Sequence, residues 1–326
     1  CGDTCNGDLA NCVPVLANLM KLFARITTIV VISIVELWVL GEFLSDRWGW
    51  SQWIAWIPTL ALLIVVICAT SVAIVSKSKL QSILLSVIAC SLFIWFSTVE
   101  NRLFTTNNKT GDLRIVSWTM SHSKKSSSFE SAQELIRLDG DLTLLSHGWF
   151  VRGEPIIKEW LGSGGRKVTS GPFTLLTKQK VLNVQALIAS DGIFISMFEI
   201  DTTPTLGRPI VLWGVDLPSS FRDTKMEIAK RARRLLDTQQ ALPPDIVIGD
   251  FNMTRNSASI KSLFPTLHDA CDQGGVGWLD SYPMSFPLYH IDHVLLADSL
   301  RAPSYTLTNP RIGRHRVQIT ELEIVE

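Results

Sequence analysis

Three long apolar runs dominate the first hundred residues and limit what this part of the chain can fold into. They span residues 26–44, 54–75 and 80–98. Each is about 19–22 residues long, enough to cross a hydrocarbon core of about 30 Å as a helix. Residues 1–104 carry only 12 of the 60 charged side chains. We therefore predict three membrane-spanning helices rather than three buried helices of a globular protein.

The basic residues of the connecting segments predict how these helices are oriented. Four of them precede the first run or lie between the second and third runs, whereas two lie in the segments on the other side. Lysine and arginine accumulate on the cytoplasmic side of a membrane. We therefore expect a cytoplasmic N-terminus and, after three crossings, an extracytoplasmic region from about residue 100 onward. A lipid-modified Cys1 would give the opposite orientation and stays open as an alternative.

The apolar runs also contain candidate contacts with other proteins. Glu36 lies inside the first run, and an acid within a span is costly unless it faces a partner. A shorter or tilted span with Glu42 at the interface is the alternative. We predict that other integral membrane subunits contact Glu36 and six tryptophans: Trp38, Trp48, Trp50, Trp53, Trp56 and Trp95. The four from Trp48 to Trp56 fit equally well an aromatic belt at the lipid interface of the bilayer.

The rest of the chain has the patterning of a folded domain. From residue 113 onward, short β-like runs alternate with helical stretches, which predicts an α+β fold arranged as a layered α/β sandwich. Residues 173–175 and 185–188 are predicted to pair as a hairpin. The formal net charge is +0, which argues against a nucleic-acid partner because such proteins carry a basic excess. The sequence is therefore predicted to divide into four regions: an N-terminal segment 1–25, three transmembrane helices 26–98, a linker 99–112 and a domain 113–326.

Two motifs stand at the ends of predicted strands. The sequence Gly-Asp-Phe-Asn at 249–252 follows an apolar strand, and Ile-Asp-His at 291–293 opens another. A weaker match, Arg-His-Arg-Val, stands at 314–317. In this order the motifs resemble those of the endonuclease/exonuclease/phosphatase superfamily, and the three spans before them are similar to the anchors of bacterial members. The resemblance implies a four-layer α/β sandwich, Mg²⁺-assisted attack of water on a phosphate ester, and a bacterial inner (plasma) membrane with the domain in the periplasm.

Several positions depart from the pattern of that superfamily. Thr119 stands where the superfamily has a metal-binding Asn, His147 where it has the principal metal-binding Glu, and Arg314 where it has an acid. Asp216 stands where a histidine contacts the substrate phosphate. Mg²⁺ prefers oxygen ligands, and a cation at about 4–6 Å would cost it several kcal/mol. We therefore expect a degenerate site with no metal and no other cofactor.

The superfamily residues that remain are the candidate catalytic positions: Asp250, Asn252, Asp292, His293 and His315. They could persist only as structure, and His147 and Arg314 could instead bind an anion without metal, since Arg suits phosphate recognition. We expect a catalytically inactive protein that is an accessory or stabilising subunit of a larger membrane complex in the lipid bilayer. The alternative is a membrane-anchored, Mg²⁺-dependent phosphoesterase that acts on lipid-linked or nucleotide phosphates.

Overall fold

The chain divides into two compact units. The computed structural model describes residues 7–106, 109–121, 124–220 and 222–325, with side chains from residue 18 onward, so Cys1 lies outside the described residues. The first unit holds the chain up to Ser45 and Gly49–Glu100, and the second holds Asp46–Trp48 and the chain from Asn101 onward. Apart from Asp46–Trp48, the second unit therefore begins at Asn101, inside the predicted linker 99–112.

Four helices form the first unit, and a π-helical turn at Phe96–Glu100 follows them. The helices are α1 (Gly7–Leu44), α2 (Gly49–Ala55), α3 (Thr59–Val75) and α4 (Lys79–Trp95). Neither α3 nor α4 contains an internal glycine or proline, so their apolar runs stay helical. Pro58 caps the start of α3 with an extended backbone, because proline has a fixed φ and no N–H with which to continue a preceding helix.

Two helical segments are long and apolar enough to cross a membrane, Asn18–Arg47 and Lys79–Glu100. A third crossing exists if α2 and α3, which meet at 66°, count as one bent span. The predicted second run, 54–75, is therefore not one straight helix. The break before Pro58 explains the difference, since only Thr59–Val75 continues as a regular helix.

The predicted partner contacts of the first unit lie in different environments. Trp38 is only 4% exposed, and its indole N–H donates to the carbonyl of Ile57 over 3.2 Å. The Trp38 side chain therefore packs inside the helical bundle and does not face another subunit, contrary to the prediction. Glu36 is exposed on α1 and Trp56 is half-buried. The exposed tryptophans of this unit are Trp50, Trp53 and Trp95, and Trp48 is exposed in the second unit.

Thirteen strands and six helices make up the described part of the second unit. The strands are β1 (Leu113–Thr119), β2 (Leu142–Ser146), β3 (Arg166–Ser170), β4 (Phe173–Thr177), β5 (Lys180–Ser190), β6 (Ile193–Asp201), β7 (Ile210–Asp216), β8 (Ile246–Asp250), β9 (His268–Asp269), β10 (Gly275–Val276), β11 (Asp292–Leu296), β12 (Leu300–Thr308) and β13 (Val317–Ile324). The helices are α5 (Ser128–Leu138), α6 (Pro155–Leu161), α7 (Thr203–Leu206), α8 (Lys225–Leu236), α9 (Ala258–Leu263) and α10 (Ala270–Gly274).

The strands form two sheets that pack face to face. One sheet has the order β10-β12-β13-β1-β2-β4-β3, and the other has the order β5-β6-β7-β8-β11-β9. Buried side chains such as Leu144, Phe173 and Ile248 fill the space between them. Helices α5 and α6 contribute to the core on the outer face of the first sheet, and α8 and α9 to the core on the outer face of the second. The unit is therefore the predicted four-layer α/β sandwich.

One predicted pairing is wrong. Strand β4 pairs with β2 and β3, whereas β5 pairs with β6 in the other sheet. The segments 173–175 and 185–188 therefore do not form a hairpin. Only Lys178 and Gln179 separate β4 from β5, and the chain uses this short connection to pass from one sheet to the other. Strands that are adjacent in sequence usually pair, but here β4 and β5 belong to different sheets.

Candidate functional site

The ends of five strands meet at one end of the sandwich. Strands β1 and β2 are parallel and finish together at Thr119 and Ser146. Strands β7 and β8 are also parallel and finish together at Asp216 and Asp250. Strand β11 runs the opposite way and begins with Asp292 beside Asp250. Polar residues at these positions can therefore converge from both sheets, although they are distant in sequence.

Asp292 is the centre of a buried hydrogen-bond cluster. Its Oδ1 accepts from the hydroxyl of Thr119 over 2.6 Å. Its Oδ2 accepts from the hydroxyl of Ser281 over 2.6 Å and pairs with Nδ1 of His315 over 2.8 Å. The other ring nitrogen of His315, Nε2, lies 3.9 Å from Oδ2 of Asp250. Both oxygens of Asp292 are therefore engaged by groups of this chain.

The ionisable groups of this cluster shift one another's pKa values. Burial and the charge of Asp292 raise the pKa of Asp250 well above its ordinary value. Burial opposes ionisation of Asp292 too, but the charge of His315 and the hydrogen bonds hold the pKa of Asp292 below its ordinary value. Burial also disfavours the charged form of His315, yet Asp292 overcomes it and raises the His315 pKa from 6.5 to about 9. The charge of Asp292 therefore stabilises the imidazolium form of His315, and burial disfavours the ionised form of Asp250 beside this pair.

A second acid–imidazole pair stands next to Asp250. Nε2 of His147 lies 2.8 Å from Oδ2 of Asp216, with the histidine side chain 32% exposed. His147 has a φ of 59°, a left-handed backbone that costs a non-glycine residue energy and is concentrated at functional sites. The indole ring of Trp149 lies beside the imidazole, with 6.1 Å between ring centroids. Two of the positions at which the sequence departs from the superfamily pattern, His147 and Asp216, are thus bonded to each other.

The Gly-Asp-Phe-Asn motif forms the turn that presents Asp250. Gly249 has a φ of 147°, and a Cβ there would lie 1.9 Å from the carbonyl oxygen of Val215. Only glycine lets β8 approach β7 this closely. Asn252 has a φ of 49°, its backbone N–H donates to Asp250 Oδ1 over 3.0 Å, and its side-chain amide donates to the carbonyl of Leu217 over 2.8 Å. Asn252 therefore stabilises the turn and orients Asp250.

His293 does not join the other predicted catalytic residues. Successive side chains of a strand point to opposite faces of the sheet, so His293 points away from Asp292. Its ring nitrogens lie 3.0 Å from Asp269 Oδ2 and 2.9 Å from the carbonyl oxygen of Met253. Arg314, by contrast, adjoins the site: it donates to the hydroxyl of Tyr282 over 2.7 Å. The tyrosine ring lies 5.0 Å from that of His315.

Three residues of the site escaped the sequence interpretation. Ser281 and Tyr282 lie between β10 and β11, in a stretch without a strand-end motif that could have identified them. Lys225 begins α8 yet is fully buried, and Nζ donates to the carbonyls of Pro218 and Ser220. Burial lowers the Lys225 pKa to about 8, with Asp250 and Asp46 opposing the shift. A lysine in the first turn of a helix gives no sequence signal of burial.

One group of side chains at this end of the sandwich could hold a metal ion. One ligand atom from each of Asp250, Asp292 and His315 lies within 4.8 Å of the others. The group offers two carboxylates and one imidazole. Thr119 and Asp216 stand nearby but are already hydrogen-bonded to Asp292 and His147.

Solved structures share this architecture at low sequence identity. An endonuclease/exonuclease/phosphatase family protein from Bacteroides thetaiotaomicron has a TM-score of 0.51 and 14% identity, and the match covers 64% of this chain and 97% of that one. A mannosyl-6-phosphatase from the same organism has a TM-score of 0.50 and 15% identity, with 64% and 99% covered. A functionally unknown conserved protein from Enterococcus faecalis has a TM-score of 0.50 and 10% identity, with 65% and 100% covered.

Comparison with protein-family models and with curated proteins finds no match. Sequence identities this low show a shared fold but do not show a shared activity. The second unit of the chain has the endonuclease/exonuclease/phosphatase fold.

Proposed function

We propose that this chain is a membrane-anchored protein whose second unit no longer performs metal-dependent hydrolysis, and that it serves as an accessory or stabilising subunit of a larger membrane complex. The first unit anchors it in a bacterial inner membrane, with the second unit on the periplasmic side. One observation carries the proposal. The polar side chains of the candidate site are bonded to one another, through Asp292 with His315 and His147 with Asp216.

The donor set does not fit Mg²⁺. This ion takes oxygen ligands in near-ideal octahedral geometry and keeps several waters. Asp292 already accepts hydrogen bonds from three side chains, and burial raises the pKa of Asp250, which disfavours the ionised form of the second carboxyl group. The third member of the group, His315, carries a positive charge of its own at neutral pH. To bind Asp292, a divalent cation would have to replace these hydrogen bonds. It would also have to displace the positive charge of His315, which already neutralises the Asp292 carboxylate.

The first unit supports the membrane part of the proposal. Two of its helical segments, or three with the bent pair, are long and apolar enough to span a bilayer. Glu36 is exposed on α1, and an exposed acid in a span needs a protein partner or water to be tolerated. Another integral membrane subunit of the larger complex would provide that partner. Trp50, Trp53 and Trp95 are also exposed and would contribute contact area.

A second candidate function rests on the group of Asp250, Asp292 and His315. Their spacing permits one metal ion, and a metal with a greater preference for imidazole than Mg²⁺ could bind there. Such a site would leave open a membrane-anchored phosphoesterase that acts on lipid-linked or nucleotide phosphates. Metal titration separates the two functions.

The test is calorimetric titration of the full chain in detergent with Mg²⁺ and with Mn²⁺, beside hydrolysis of a generic phosphodiester. We expect neither tight binding nor hydrolysis. Tight binding that disappears in Asp250→Ala would overturn the proposal and favour the phosphoesterase. A double variant, His147→Glu with Arg314→Asp, is the matched control, because it restores the two acids that the resemblance implies at these positions and should bind Mg²⁺ more tightly than the natural chain.

A further inference from the structure

A second group of polar side chains lies at the β9 edge of the six-stranded sheet. Asp269 ends β9, Cys271 belongs to α10, and His290 precedes β11. A carboxylate oxygen of Asp269, Sγ of Cys271 and a ring nitrogen of His290 all lie within 4.8 Å of one another. Cys271 is fully buried and His290 is 5% exposed. Carboxylate, thiolate and imidazole are the three side-chain groups that bind zinc.

The hydrogen bonds of His290 leave one ring nitrogen ready for a ligand. Nδ1 contacts the carbonyl oxygen of Leu279, and a carbonyl can only accept, so Nδ1 carries the hydrogen. Nε2 then has a lone pair. It is buried and has no hydrogen-bond partner among the described residues, although buried polar atoms are nearly always partnered. An imidazole with one N–H on a backbone carbonyl and the other nitrogen bare is the usual arrangement of a metal-binding histidine.

Neighbouring groups hold the other two side chains in place. Oδ1 of Asp269 accepts from the backbone N–H of Cys271 over 2.9 Å, and its Oδ2 lies 3.0 Å from Nδ1 of His293. The other nitrogen of His293 lies 2.9 Å from the carbonyl oxygen of Met253. His293, which did not join the candidate site, thus orients the carboxylate of Asp269. Such outer contacts fix the orientation of metal ligands.

We propose that Asp269, Cys271 and His290 bind a Zn²⁺ ion. The Cys271 thiol loses its proton to solvent on binding, so the thiolate, the Asp269 carboxylate and the neutral imidazole balance the charge of the ion. Zinc bonds of about 2.0–2.3 Å place tetrahedral ligand atoms about 3.5 Å apart, and the ligand atoms here already lie within 4.8 Å of one another, so only a small movement of the side chains is needed. Nη1 of Arg255 lies 3.5 Å from Sγ and stabilises the thiolate, while its own charge pairs with Asp272 at 3.1 Å.

The sequence could not reveal this site by spacing. Cys271 is the only cysteine beyond residue 90, and the three ligands follow no zinc motif. The fold brings them together because β9 pairs with β11, which places the end of β9 near the chain that leads into β11. The proposed site lies toward β9, whereas Asp250 of the candidate site lies on β8, the strand that flanks β11 on its other side. The zinc proposal does not rest on the proposed function.

Cobalt(II) provides a direct probe, because a cobalt–thiolate bond gives a charge-transfer absorption band that zinc does not. The full chain in detergent is stripped with a chelator and titrated with Co²⁺. We expect one equivalent to bind with a charge-transfer band, and added Zn²⁺ to abolish the band by displacement. Cys271→Ser should remove the band and weaken metal binding by at least about 100-fold, beyond the 10- to 100-fold typical of outer-contact losses.

Two control variants locate the metal. Cys90→Ser removes an exposed cysteine of α4, and Asp250→Asn removes a carboxylate of the candidate site; both should keep the band. Near-ultraviolet circular dichroism of each variant reports whether it is folded, and His290→Gln provides a second ligand variant should Cys271→Ser not fold. The proposal is overturned if the folded natural chain gives no band. It is also overturned if the band persists in folded Cys271→Ser. Cobalt that binds without a band and is lost in Asp250→Asn would instead contradict the proposed function, because the candidate site has no thiolate.

Discussion

The buried pair of His315 and Asp292 makes a quantitative prediction about stability and pH. The pKa of His315 is about 9 in the folded chain against an ordinary value of 6.5. The folded state therefore holds a proton that the unfolded chain has lost between these values. At about 1.36 kcal/mol per pKa unit, the difference corresponds to roughly 3 kcal/mol of stabilisation. This stabilisation is complete below pH 6.5 and is lost as the pH rises through about 9.

The perturbation is His315→Gln, which keeps a hydrogen-bond donor toward Asp292 and removes the titration. The assay is denaturant unfolding of the full chain in detergent, followed by near-ultraviolet circular dichroism below pH 6.5 and above pH 9. The difference in unfolding free energy between the natural chain and the variant should shrink by about 3 kcal/mol across this range.

Two results would refute this reasoning. A difference that is independent of pH would mean that His315 is not an imidazolium in the folded chain. A difference that grows with pH would mean that the ring is buried in its neutral form, with a lowered pKa. Either result would also remove the main electrostatic reason why the site does not fit Mg²⁺.

Four other variants, one of them a control, probe the architecture around the site. Gly249→Ala should cost more than about 3 kcal/mol of unfolding free energy, because its Cβ would lie 1.9 Å from a carbonyl oxygen of β7; Gly153→Ala, which meets nothing within 4 Å, should change stability by about 0.5 kcal/mol or less. Asp250→Asn should raise the melting temperature at neutral pH, because the raised pKa makes the acid increasingly destabilising as the pH rises; a lower melting temperature would show that the carboxylate is ionised and paired. Asp216→Asn should change unfolding free energy by about 1 kcal/mol or less, since its partner His147 is partly exposed; a loss of several kcal/mol would mark a structural pair.

The sequence carries the coarse architecture because each element has a local signature. Apolar length identifies the helices of the first unit, and alternating short runs identify the sandwich. The break at Pro58 was visible in the sequence as a proline within an apolar run, yet hydropathy alone does not register it. The strand-end acids Asp250 and Asp292 were found because each lies in a short motif, Gly-Asp-Phe-Asn or Ile-Asp-His, that resembles a motif of the superfamily.

The contacts within the site could not be predicted from the sequence because they join residues that are distant in sequence. Thr119 and Asp292 share a hydrogen bond across 173 residues, and nothing local couples them. His293 was expected beside Asp292 because it is adjacent in the motif, but strand alternation sends it to the opposite face. The pairing of His147 with Asp216 likewise depends on two strands from different sheets. Chemistry-bearing residue types were predictable, and their partners were not.

The accessory role is the central claim, and native electrophoresis tests it most directly. The chain is extracted gently from its native membrane in detergent, separated without denaturation, and identified with its partners by mass spectrometry. We predict that it migrates in a large complex with other integral membrane subunits at a fixed stoichiometry. Migration as a single chain of 36.3 kDa in its detergent micelle would contradict the accessory role.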